Sequence, residues 1–200
     1  MKKLLFILTF VLLNTACWAQ QDTKYLAGAI QENNGKVFLE RTVTMKGLSR
    51  NEIFRIVDDW AQRKYAPEEE FVRKVLSVDT VNTAFSILGD EYIVFRNSAL
   101  SLDRTRIIYA LQIKIADGKC SLNFSRIRYL YNVATSPVPE KYTAEEMISD
   151  KVALKKNKLV RTSDKFRIKT IDLADQIVEE LNVLLGKATL DKINSSNGSR

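Results

Sequence analysis

The chain has 200 residues, a formal net charge of +7, no histidine and two cysteines. That length suits one domain, large enough to bury a core without disulfide staples. The missing histidine excludes His-based triads, Cys–His dyads and His-ligated zinc, and two cysteines exclude thiolate metal cages and iron–sulfur clusters.

The chain opens with the basic Met1-Lys2-Lys3, followed by the apolar run Leu4–Leu13 and the small-x-small triplet Cys17-Trp18-Ala19. Basic, apolar and small residues in that order read as a signal peptide over residues 1–19. The apolar run is shorter than the roughly 20 residues that a transmembrane helix needs. The protein is therefore expected to be periplasmic or secreted, with no transmembrane segment in the mature chain. The alternative is lipid anchoring through Cys17, against which Asn14 occupies a position where such signals want Leu or a similar residue. Once Cys17 is removed, Cys120 is left unpaired and reads as a half-buried strand residue.

Residues 20–36 read as a polar N-terminal arm. Residues 37–188 form the expected single domain, and 189–200 a disordered polar tail. Val37 to Met45 alternates enough to be a strand. Ser49-Arg50-Asn51-Glu52 is a capping box, and the helix behind it stripes Ile53, Ile56, Val57, Trp60 and Ala61 along one face, ending near Tyr65. Short strands are expected over Phe71 to Val78, Thr83 to Leu88 and Glu91 to Arg96, with Gly89-Asp90 as a turn between the last two.

Arg104 to Ile115 is the clearest strand, with Thr105, Ile107, Tyr109, Leu111, Ile113 and Ile115 on the core face. Asp117-Gly118 predicts a two-residue hairpin with positive φ at both positions. On the partner strand, Lys119 to Tyr131, the apolar residues change parity between Phe124 and Ile127. One face holds both sets only if a residue is inserted, so a β-bulge is predicted near Ser125-Arg126, pairing Tyr109 with Ile127 and Ile107 with Tyr129. Thr143-x-x-Glu146 is a second capping box, opening a short helix to about Lys155. Ile171 to Leu185 reads as the longest helix, capped by Gly186. This order of strand, helix, strands, helix predicts an α+β fold, an antiparallel sheet with helices packed on one face.

Several segments carry a resemblance: Tyr25-Leu26-Ala27-Gly28-Ala29-Ile30, Ala99 to Arg106, Arg128-Tyr129-Leu130-Tyr131, Pro139 to Glu146 and Lys165 to Leu173. Together they resemble domain-of-unknown-function family 4468, secreted bacterial proteins with a TBP-like fold. The resemblance implies a curved antiparallel sheet backed by helices. It implies no reaction, and the fold name refers to shape rather than to DNA binding.

The candidate surface is the outer face of the long hairpin, where Arg104, Arg106 and Arg128 share a side with Lys114 further along. Arginine forks suit carboxylate, phosphate or sulfate groups. The competing reading is a solvated sheet face, helped by an arginine pairing with Asp103. Tyr129 belongs to the core by parity, whereas Tyr131 and Tyr142 are candidates for stacking on a ligand. Lys151, Lys155, Lys156, Lys158, Arg161, Lys165, Arg167 and Lys169 form a basic stretch. Its first reading is a solvated loop; as a functional surface, export argues against nucleic acid as its partner and favours an envelope protein or an anionic envelope component. Adjacent glutamates at Glu68-Glu69-Glu70 and Glu145-Glu146 give no sign of a general acid–base pair, and no serine has a nucleophile-elbow context. No cofactor, metal site or catalytic residue is expected. The leading expectation is a non-catalytic binding or protein-interaction domain of the cell envelope. A small apolar-ligand carrier of helix-grip type, and then a carboxylate-dependent hydrolase, follow it.

Overall fold

The computed structural model of the protein describes residues 23–99, 101–133 and 136–197. The signal peptide expected at 1–19 and the lipidation alternative at Cys17 lie outside the described residues. A 3-10 turn at Thr23–Tyr25 leads into β1 (Gln31–Asn33), β2 (Lys36–Thr44), α1 (Arg50–Lys64), β3 (Lys74–Asp79), β4 (Ala84–Ser98), β5 (Ser101–Ala116) and β6 (Lys119–Tyr131). Then come β7 (Glu140–Thr143), the single turns α2 (Ala144–Met147) and α3 (Asp150–Ala153), a minute hairpin of β8 (Leu154–Lys155) and β9 (Lys158–Leu159), and α4 (Asp164–Asn197). One antiparallel sheet runs β1-β2-β6-β5-β4-β3, and β7 also pairs with β6. The predicted α+β class holds.

The core lies between one sheet face and the helices. Every expected inward residue of β5, from Thr105 to Ile115, is buried. Ile53, Val57, Trp60 and Ala61 of α1 pack there with Ile171, Ala174, Ile177, Leu181 and Leu185 of α4. Ser49 closes its capping box as predicted, accepting from the Glu52 amide while the Glu52 carboxylate accepts from the Ser49 amide. Thr143 and Glu146 do the same at α2.

The parity break has the predicted cause. Ala110 pairs with Ser125 and Ile108 with Arg128, so Arg126 and Ile127 together oppose the single residue Tyr109. Arg126 sits at φ 53°, and beyond the bulge Ile107 pairs with Tyr129 as expected.

Several expectations are corrected. Gly89-Asp90 is not a turn, because β4 runs straight through it. A Cβ on Gly89 would lie 2.1 Å from the Tyr109 Cζ, so the glycine admits a ring crossing from β5 rather than a reversal of the chain. The preceding strand begins at Lys74, not Phe71, since the Val72 amide donates to the buried Asp90 carboxylate instead of a ladder partner. The hairpin at Asp117-Gly118 forms, but only Gly118 takes positive φ, and Asp117 accepts from the Arg50 amide at the start of α1. The helix expected to reach Lys155 is two separate turns and the β8–β9 hairpin.

Both domain edges also move. The polar arm is part of the fold: Gln31–Asn33 pairs with β2, and Tyr25 donates to Asp172. The fully buried Arg167 donates to the carbonyls of Tyr25, Leu26 and Ile148 and to Asp150. At the other end, Gly186 caps nothing and α4 continues to Asn197, so its last nine residues, Lys192 among them, lie inside the expected tail. Lys192 explains the extension by reaching back to the Gly47 carbonyl and Glu52 at the start of α1. Cys120 is fully buried rather than half-buried, and burial pushes its thiol up to about 12.

Candidate functional site

The seven residues singled out from the sequence fall into separate places. Arg104, Arg106, Arg128 and Lys114 share the outer face by register, but their neighbours divide them. Arg106 grips Asp90 with two parallel bonds, Nε to Oδ1 at 2.7 Å and Nη2 to Oδ2. Asp90 is fully buried beneath the loop after α1, whose Val72 amide supplies a third bond. The Arg104 guanidinium lies 3.8 Å from the centroid of the Tyr92 ring, and Phe71 packs edge-on against Tyr92. These two arginines are therefore held toward β4 by packing and charge. Lys114 is exposed at the opposite end of the strand, beside Gln112 and Ser121.

Asp103, Tyr131 and Tyr142 are on the helix side. Asp103 pairs with Lys165 rather than with an arginine, at 2.8 Å, and the Tyr131 hydroxyl donates to the same carboxylate. Burial works against the Asp103 carboxylate, but the Lys165 and Tyr131 hydrogen bonds outweigh it and hold its pKa below the usual range. The Lys165 ammonium lies over Phe95 and Tyr131, and Phe166 meets both of those rings and Tyr142. Tyr131 and Tyr142 thus close one end of the core instead of presenting free stacking faces. The basic stretch is broken up in the same way: Arg167 is buried, Lys165 is paired inside this cluster and Lys151 is paired with Glu32.

An open cleft of about 930 Å³ lies on the outer face where β2 leaves β6 and β7 joins it. β6 pairs with β2 as far as Ser125 and with β7 from Arg128 onward. The bulge residues Arg126 and Ile127 occupy the gap. Val37 and Ile127 form an apolar floor, Phe38 a partly exposed aromatic wall, and Lys36, Arg126 and Arg128 an exposed cationic rim. These three cations form no ion pair among the described residues, which contain eleven such contacts elsewhere. Glu40 and Glu145 also line the cleft. Glu145 accepts from the Val37 amide, and Glu40 accepts from Asn123 at 3.5 Å. Of the residues in this cleft only Arg128 is among the site residues expected from the sequence. The parity break at Ser125-Arg126 was the signal that located Arg126, since a bulge turns its extra side chain out of the regular alternation.

Carboxylates with displaced pKa values (Glu52, Asp79, Asp103, Glu140 and Glu146) are all pushed down, whereas a general acid is pushed up. Among the described residues no group of His, Cys, Asp or Glu side chains is placed to hold a metal ion. No described helix is long and apolar enough to cross a membrane. The void under α4, lined by Leu39, Tyr109, Phe124 and Leu173, is about 10 Å³.

A family model described as a domain of unknown function (DUF4468) with TBP-like fold matches residues 40–130. The crystal structure of a DUF4468 family protein from Bacteroides ovatus ATCC 8483 is 35% identical, with a TM-score of 0.74 over 83% of this chain and 95% of that one. That of a TBP-like protein from Parabacteroides distasonis ATCC 8503 is 19% identical, with a TM-score of 0.65 over 78% of this chain and 96% of that one, a likeness of fold. No curated protein matches the chain.

Proposed function

Because the chain belongs to the DUF4468 family, whose description carries a fold and no reaction, we propose that it is a non-catalytic binding domain of the bacterial cell envelope, working through the outer face of its sheet. The observation that carries this reading is the cleft beside the bulge. It gathers three exposed cations, without ion-pair partners among the described residues, onto the sheet face that the helices leave bare. Arginine forks standing free at an open cleft are suited to carboxylate or phosphate groups. An anionic envelope component is the partner this chemistry fits, and the leader-like Met1–Ala19 supports export to where such components lie.

The carrier alternative is weakened by the filled core. Ligand sites occupy roughly 300–1,000 Å³, and the space beneath α4 falls far below that range. The hydrolase alternative is weakened by the downward displacement of the carboxylates. The test is to replace Lys36, Arg126 and Arg128 together by glutamine and to measure retention on envelope fractions at low salt. The native protein is retained, and the variant is released while its stability changes by no more than about 0.5 kcal/mol, as for surface substitutions. Unchanged retention overturns the reading.

A further inference from the structure

We infer that the ligand of this cleft is an acidic oligosaccharide, a chain of hydroxyl-bearing rings with spaced carboxylates. The inference rests on the binding role proposed above and names the ligand class for the same site. Three features of the cleft select it.

The first is the mixed sign of the lining. Arg126, Arg128 and Lys36 invite anionic groups, yet Glu40 stands among them, its carboxylate engaged among the described residues only by the long contact from Asn123. A densely charged polyanion gains from the cations and is repelled by Glu40. A sugar carboxylate meets an arginine, while neighbouring hydroxyls donate to Glu40 and pair with the amide of Asn123, so each group finds its complement. The second feature is Phe38, partly exposed beside these polar groups, which offers a ring an apolar face to lie against. The third is the length of free strand edge. Only Arg126 and Ile127 of β6 lie between its pairings with β2 and with β7. An added peptide strand is recognised through a continuous row of backbone groups, and two residues supply too little of one.

The backbone at the bulge supports a dedicated role for Arg126. A non-glycine residue at φ 53° is uncommon, and such strain gathers at functional sites. Here it sets the guanidinium at the cleft, where the outward side chain of a regular strand would have followed the alternation of β6.

The experiment is calorimetric titration of the protein with trigalacturonate, with neutral maltotriose and hexaglutamate as comparison probes. Trigalacturonate is expected to bind at least tenfold more tightly than either, and Arg126→Gln with Arg128→Gln to weaken it at least tenfold. Glu40→Gln is the discriminating variant. It weakens a saccharide whose hydroxyls donate to that carboxylate, whereas it tightens any ligand recognised by negative charge alone. Tightening by Glu40→Gln, or hexaglutamate binding as well as trigalacturonate, overturns the saccharide assignment. If none of the probes binds but envelope retention still depends on Lys36, Arg126 and Arg128, the ligand class is wrong and the binding role stands. If retention is also insensitive to those residues, both fall.

Discussion

Arg106 and Arg128 lie two strand positions out of register on the same face of the sheet, and they do opposite jobs. Arg106 is spent on the fully buried Asp90, with the Val72 amide completing the carboxylate's shell. Arg128, one strand over and beside the bulge, is exposed and makes no ion pair among the described residues. What separates them is cover. The loop after α1 folds over β4 and excludes water from Asp90, and an uncompensated carboxylate there is costly. Nothing described covers the gap between β2 and β7, so cations there remain available. Parity along a strand assigns a residue to a face; the segment lying over that face decides whether the residue is structural.

The sharpest way to break this comparison is Arg106→Gln. If Arg106 neutralises a buried charge, the variant loses about 3 kcal/mol, within the range for orphaning one member of a buried pair, and denaturant unfolding measures it. A loss below about 0.5 kcal/mol would mean that Asp90 is solvated and that Arg106 belongs with Arg128 as a surface group. Next in size is Gly89→Ala, which tests the packing beneath Asp90. The added methyl meets the Tyr109 ring, which is fixed in place by bonds to Tyr65 and Glu91. A cost of about 2 kcal/mol is expected, as for overpacking a core. Gly89→Ala combined with Tyr109→Leu should recover part of it, and no recovery would place the strain elsewhere.

Much of the frame was legible because it rests on local rules. Ser49 and Thr143 announced their helices through capping boxes, and the switch of parity between Phe124 and Ile127 demanded a bulge where one exists. Features that failed to show were those set by distant partners. Gly89-Asp90 has turn composition, but a ring from β5 and a guanidinium from Arg106 hold it extended. Gly186 has cap composition, but Lys192 anchors the next turns of α4 to α1. The candidate site was half legible for the same reason. Arg128 and the bulge could be read along the chain, whereas Lys36, Phe38 and Glu40 reach the cleft only through the pairing of β2 with β6. Nor did the composition of the Lys151–Lys169 segment show that Arg167 would be buried against Tyr25 and Leu26.

The smallest effect is the most telling about the cleft. Arg126 holds a left-handed backbone conformation that costs a non-glycine residue roughly 1–2 kcal/mol. Arg126→Gly removes that strain and adds the glycine's own entropic penalty of about 0.5–1 kcal/mol. The net is a gain in stability of about 0.5 kcal/mol, visible as a small shift in the denaturation midpoint. Since the same change deletes a rim cation, retention on envelope fractions should fall as stability rises. That opposition separates a residue kept for binding from one kept for folding. An arginine kept for folding would instead give a variant that is less stable and binds no differently, whereas a bulge that serves only to bring Ile127 and Tyr129 back to the core face gives one that is more stable with retention unchanged.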